Sequence, residues 1–165
     1  MYKVKRFSKV GNRMEFTHAT ATRNVKSILD KGLLGIKSHS KNSITNMSRN
    51  MTGSEKNLVY LSNDGRSSYL VYKVCEDYLG GGTILHVSIP LSDFRKMKVV
   101  DNPEFLGSSS YEDFIKKYRE KYKRTIDKSK IPDRDYYDMM VNGTTVIEGD
   151  IPAKYIRESP RYIGD

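Results

Sequence analysis

Residues 16–33 read Phe-Thr-His-Ala-Thr-Ala-Thr-Arg-Asn-Val-Lys-Ser-Ile-Leu-Asp-Lys-Gly-Leu, and this stretch decides how the rest of the chain is read. Its opening, with Met14 and Glu15 before it, has the character of a short strand over residues 14–18. A helix follows. Val25, Ile28 and Leu29 recur at helical spacing, Thr20 or Thr22 is available as its N-cap, and Gly32 ends it as a left-handed residue. Leu33, Leu34 and Ile36 then return the chain to a core. The arrangement sets His18 at a strand end, where an imidazole can donate and accept at once.

Working outward, residues 37–57 are polar and without a period. A loop of that length inside a small domain is usually functional or mobile, so it is expected near a binding site and able to order on a ligand. Leu58–Ser62 is a strand and Ser67–Tyr78 a helix. Gly80-Gly81-Gly82 breaks the chain; no Lys-Ser or Lys-Thr pair follows, so the run is a turn and not a phosphate loop. Thr83–Ile89 alternates as a strand that Pro90 ends. Val99–Leu106 reads as extended. Tyr111–Ile126 reads as an amphipathic helix, with Phe114, Tyr118 and Tyr122 four apart, Ser110 as N-cap, and Glu112 and Asp113 in its first turn. Residues 127–138 look charged and irregular, Thr144–Glu148 is a strand, and Lys154–Ile156 is extended. Short strands mixed irregularly with few helices predict an α+β architecture in one domain, residues 1–165, and not a doubly wound parallel sheet. The glycine fingerprint of a dinucleotide-binding fold is absent.

Charge narrows the class of partner. The 165-residue chain carries 29 Lys+Arg against 20 Asp+Glu, a net charge of +9. That favours polyanions, nucleic acid first among them. The surplus is concentrated at Lys116, Lys117, Arg119, Lys121, Lys123, Arg124, Lys128 and Lys130, opposed only by Glu120 and Asp127. The single cysteine, Cys75, excludes an internal disulfide, and His18, His39 and His86 lack metal-site spacing, so no metal is expected. No apolar run follows the basic start Met1–Arg6 and none is long enough for a bilayer, so the expectation is a soluble, cytoplasmic protein with no membrane partner.

The segment from Phe16 to Leu33 is similar to the opening motif of the ADP-ribosyltransferase superfamily, in its diphtheria-toxin/PARP-like or DNA-modifying toxin-like branch: a strand ending in His-x-Thr, then a helix with Asn, an Ile-Leu pair and Gly-Leu. Tyr60-Leu61-Ser62 with Ser67 and Tyr69 resembles the strand–turn–helix that follows in that superfamily. Thr144–Ile156, with Ile151-Pro152 and Tyr155-Ile156, resembles its closing strand and tail. The resemblance implies a split, mixed or antiparallel sheet core with flanking helices, and NAD as co-substrate. It assigns His18 to a ribose hydroxyl, with Thr20 and Asn24 of the same motif also at the NAD. It implies that Tyr60 and Tyr69 sandwich the nicotinamide ring and that Ser67 meets its carboxamide. At the position where many members carry a catalytic Glu, this chain has Thr144; the nearest carboxylate is Glu148, on the same strand face by alternation. A small shift or bulge of the strand is expected to bring Glu148 into the site as the catalytic carboxylate, with His18 and Tyr60.

The implied activity is mono-ADP-ribosyl transfer to DNA, RNA or a protein acceptor with release of nicotinamide, in an intracellular, phage- or toxin-encoded setting. The alternative is a catalytically silent module of the same fold that binds nucleic acid or a host protein, which the Thr144 departure and the basic helix favour. An RNA 2′-phosphotransferase shares the opening motif, yet needs Arg and His positions in an N-terminal extension for which the stretch before His18 leaves little room.

Overall fold

The computed structural model describes residues 9–35, 57–122 and 131–158. The fold is α+β, built on an antiparallel sheet. In chain order its elements are β1 (Lys9–Val10), β2 (Arg13–Ala21), α1 (Val25–Lys31), β3 (Leu58–Ser62), α2 (Arg66–Tyr78), β4 (Gly82–Pro90), α3 (Leu91–Phe94), β5 (Lys98–Val100), α4 (Tyr111–Lys121), α5 (Arg134–Asn142), β6 (Thr144–Glu148) and β7 (Ile156–Glu158). The strands run β5-β6-β3-β2-β4-β7, with β1 paired to the start of β2, and every pairing is antiparallel.

Strand β2 is longer than the expected residues 14–18 because β4 pairs with it residue for residue, from Arg13↔Pro90 to Ala21↔Gly82. Alternation sends Met14 and Phe16 to one face, beside Leu85, Val87 and Ile89 of β4. Val59, Leu61, Ile147 and Ile156 extend this layer, and Val25, Ile28, Leu33 and Ile151 close it. Fully burying each such side chain stabilises the fold by about 1.5–3 kcal/mol.

The first helix departs from the sequence reading at its start. A 3-10 turn, Thr22–Asn24, precedes α1, and no side chain caps it. The Thr22 hydroxyl instead pairs with that of Thr83 at 2.9 Å, and Thr20 is buried in β2. The end of the helix is as read. Gly32 has φ 88°, a left-handed value that glycine reaches without strain. The turn lets Leu33 exchange both backbone hydrogen bonds with Ile151. A Cβ at position 32 would sit 2.2 Å from the Ile151 carbonyl oxygen. Gly32→Ala is therefore expected to lower unfolding free energy by at least about 2 kcal/mol, read as the urea midpoint at unchanged slope.

On the other sheet face, α2 lies across β2 and β4. The Thr17 hydroxyl donates to Ser68 at 2.8 Å, and Cys75 is packed to 1% exposure beneath the helix. Burial pushes the Cys75 thiol above its ordinary pKa, Glu76 adds to this, and Arg23 opposes it. Alkylation of native Cys75 at neutral pH should run at least about tenfold slower than in urea-unfolded chain; equal rates would contradict this packing.

Three other expectations are corrected. Val99–Leu106 is not one extended piece: β5 ends at Val100, Asn102 accepts the Glu104 N–H, and a 3-10 turn covers Pro103–Phe105. Lys154–Ile156 is a 3-10 turn, Ala153–Tyr155, leading into β7. Residues 127–138 are not irregular throughout, because α5 begins at Arg134, capped by Asp133 accepting the Tyr136 N–H at 2.7 Å. Helix α4 has the expected Ser110 cap and ends at Lys121. Together α4, α5 and the turn at Phe105 enclose a second small core of Phe105, Phe114 and Tyr137. Ile36, the polar loop up to residue 56, Ile126 and the basic residues Lys123, Arg124, Lys128 and Lys130 lie outside the described residues. Among the described residues no helix is long and apolar enough to cross a membrane.

Candidate functional site

Strands β2 and β3 are neighbours, yet their pairing is confined to Thr17↔Ser62. Beyond that pair β2 continues through His18 to Ala21 without a ladder to β3. A buried backbone carbonyl deprived of its strand partner must find another donor. At this parting the Tyr60 carbonyl accepts from His18 Nδ1 at 2.8 Å. A carbonyl only accepts, so Nδ1 carries the proton; in the neutral ring Nε2 is then the acceptor. The contact both closes the sheet locally and fixes the tautomer of an imidazole held at the gap.

The register places further residues around it. Tyr60 stands opposite Val146, and Ser62 opposite both Thr17 and Thr144. Directly paired residues share a face, so Tyr60, Ser62, Thr17, Thr144 and Glu148 belong to the face that α2 also covers. At the head of α2 the Thr144 hydroxyl lies 3.3 Å from that of Ser67 and 3.2 Å from the Met139 carbonyl. Gly65, at φ 83°, makes the sharp entry into this helix, and its N–H donates to Ser62 Oγ. Tyr60, Ser67 and Thr144 thus lie on the α2 side where β2 parts from β3, while His18, one residue past Thr17 and opposite Leu85, alternates to the other face and meets Tyr60 through its backbone carbonyl.

Two assigned residues stand further out. Tyr69 is 49% exposed on α2, with its ring stacked on Tyr72 at 6.5 Å. Glu148 ends β6, opposite Leu58 and Lys98, and forms an ion pair with Lys98. The β3–β6 register runs unbroken from Leu58↔Glu148 to Ser62↔Thr144, so the expected shift or bulge is absent. Four residue steps along the strand separate Glu148 from Thr144, about 13 Å. Glu148 stays one alternation step beyond Tyr60, as Thr144 stays one step before it. Thr20 is buried and Asn24 half-buried, past His18 along the chain.

Some polar structure near the gap carried no sequence signal. Thr145 donates to Asn63 at 2.6 Å in a buried pair, which pins the β3–α2 turn to β6. Arg66 is bracketed by Asp64 and Asp138, at 2.8 and 3.0 Å. Burial works against its charge, but the hydrogen bonds to Asp138 and Asp64 prevail and raise the guanidinium above its ordinary pKa. Away from the gap, β2 and β4 hold a chain of polar contacts. Glu15 accepts from His86 and, at 2.8 Å, from Ser88, whose oxygen accepts from Arg13 at 2.6 Å. The only sequence clue to these contacts is alternation, which cannot pair residues across strands. Among the described residues no group of His, Cys, Asp or Glu is arranged to hold a metal ion.

In comparison with known proteins, no family model and no curated protein matches the chain.

Proposed function

We propose that the protein is an ADP-ribosyltransferase of the superfamily its opening motif resembles. It binds NAD at the parting of β2 and β3 and transfers ADP-ribose to a nucleic-acid or protein acceptor, releasing nicotinamide. The observation that carries this reading is the bond from His18 Nδ1 to the Tyr60 carbonyl. It joins the two motifs on which the resemblance rests, which are 42 residues apart in sequence, and it orients an imidazole as a sugar-hydroxyl partner requires. The Ser67 hydroxyl beside Thr144 supports the same reading, since it is a polar group suited to a carboxamide.

In this reading His18 Nε2 holds a ribose hydroxyl, with Thr20 and Asn24 at the nucleotide. Tyr60 and Tyr69 take the nicotinamide ring, each face adding about 1–2 kcal/mol of stacking and cation–π energy. The bond between nicotinamide and ribose breaks, and its electron pair leaves with a neutral nicotinamide. The acceptor forms the new bond to the sugar carbon and gives up a proton. Positive charge develops on the sugar during this step, and a carboxylate stabilises it. Glu148 is assigned that role because it shares the sheet face of Tyr60; releasing it from Lys98 is then part of forming the complex.

The second reading, a silent module of the same fold, is favoured by one observation. Thr144, where the resemblance has a Glu, is 2% exposed and held against Ser67 and Met139. A transfer assay separates the two. Wild type and Glu148→Gln are incubated with labelled NAD and with nucleic-acid and protein acceptors. The enzyme reading expects label on acceptor from wild type and at least about a hundredfold less from Glu148→Gln at unchanged NAD affinity. Equal transfer by both removes Glu148 from the reaction, and NAD binding without any transfer establishes the silent module.

A further inference from the structure

We infer that the exposed surface of the C-terminal half of α4 is a docking surface for single-stranded nucleic acid, with Lys116, Arg119 and Lys121 meeting phosphates and the Tyr118–Tyr122 pair, flanked by Arg119 and Lys121, offering a ring to a base. The inference does not use NAD and stands whatever the chemistry at His18.

The orientation of α4 is fixed from its buried side. Phe114 is 0% exposed, and its ring lies 5.5 Å from Tyr137 of α5 and 5.1 Å from Phe105. That anchoring turns Lys116 and Arg119 away from the core, and Lys121, on the Phe114 side but at the last residue of the helix, is exposed as well. The acidic residues at the start of the helix are already committed. Glu112 is paired with Arg134, and Asp113 accepts from the Ser109 N–H and from Lys117, each at 3.0 Å. Among the described residues no ion pair involves Lys116, Arg119 or Lys121. Some of this charge answers the helix C-terminal dipole, but three uncompensated cations beside one carboxylate, Glu120, exceed that need.

The aromatic pair argues for the kind of polyanion. The Tyr118 and Tyr122 rings are 4.7 Å apart and half-buried, and the Lys121 ammonium lies 5.3 Å from the Tyr122 ring centre. A cation beside an accessible ring is the surface on which a nucleotide can place its phosphate and its base together. The exposed large apolar residues of the described chain are Val10, Leu29, Tyr69, Leu70 and Tyr78, none of them on α4. A helix that lies on a lipid surface needs such residues on its outward side, so a membrane is disfavoured. A duplex keeps its bases stacked on one another, so the ring gives a single strand the advantage.

The test is fluorescence anisotropy of a labelled 20-nucleotide single-stranded oligonucleotide of mixed sequence, titrated with the full chain and without NAD. The expected result is saturable binding that weakens by about tenfold to twentyfold between 50 and 200 mM salt, the dependence of roughly three phosphate contacts on a single strand. The triple variant Lys116→Glu, Arg119→Glu, Lys121→Glu should bind at least about tenfold more weakly. Tyr122→Ala should weaken binding severalfold and leave the salt dependence unchanged. The milder Lys116→Gln, Arg119→Gln, Lys121→Gln variant, with an unaltered melting curve, separates lost binding from lost folding. No saturable binding at low salt, wild-type affinity in a folded triple variant, duplex bound more tightly than single strand, or binding only to anionic phospholipid vesicles would each overturn the inference.

Discussion

Replacing His18 by alanine is expected to weaken NAD binding by about tenfold to a hundredfold, since a lost hydrogen bond and an unsatisfied buried group each cost about 1–3 kcal/mol. Both losses arise at one residue. The imidazole gives up its contact to the ligand, and the Tyr60 carbonyl loses the donor that now reaches it at 2.8 Å. The second loss also destabilises the fold, so alanine alone confounds a binding role with a structural one. His18→Asn separates them, because its amide nitrogen takes the place of Nδ1 and can donate to the Tyr60 carbonyl while nothing replaces Nε2 for the sugar. Melting should recover toward wild type in the Asn variant while NAD affinity stays low. If NAD affinity recovered along with melting, the imidazole would be a structural strut only.

Phe114→Ala should lower stability by about 3–5 kcal/mol, the usual cost of truncating a buried phenylalanine. Its ring touches those of Phe105, Tyr111, Tyr118 and Tyr137, so the cavity opens at the centre of the small core. That core is packed away from the main one, which is centred on Phe16 and Leu85. The loss should therefore appear first as tyrosine near-ultraviolet dichroism disappearing below the main transition, and only then as a shift of the whole melting curve. A change below about 1 kcal/mol would mean that the site collapses without a cavity.

The fold was legible where the pattern was local. Leu58–Ser62 and Thr144–Glu148 are short runs rich in apolar and β-branched residues, buried almost throughout, and form strands with those bounds, and α2 starts one residue before its expected position. Helix α5 was hidden because its cap and first turn, Asp133-Arg134-Asp135, look like a charged loop, while Tyr136, Tyr137 and Met140 gain meaning only against α4. The turn at Thr22 was misjudged because the hydroxyl that could have capped α1 found a cross-strand partner in Thr83. At the candidate site, the motifs name His18 and Tyr60 for their side chains, and the contact between them is from the imidazole to the Tyr60 backbone carbonyl, which no side-chain motif can announce. The carboxylate was less legible. Alternation puts Glu148 on the sheet face of Tyr60, but only the pairing register fixes how far along the strand it sits, and that register contains no bulge.

The most direct test is calorimetric titration of the wild-type chain with NAD. An NAD site at the parting of β2 and β3 should give one-site heats that saturate, with an affinity in the range of about 1 μM to 1 mM usual for enzymes and their substrates. No heat up to several millimolar, roughly the weak end of that range, or heats identical in His18→Asn, would contradict an NAD site at His18.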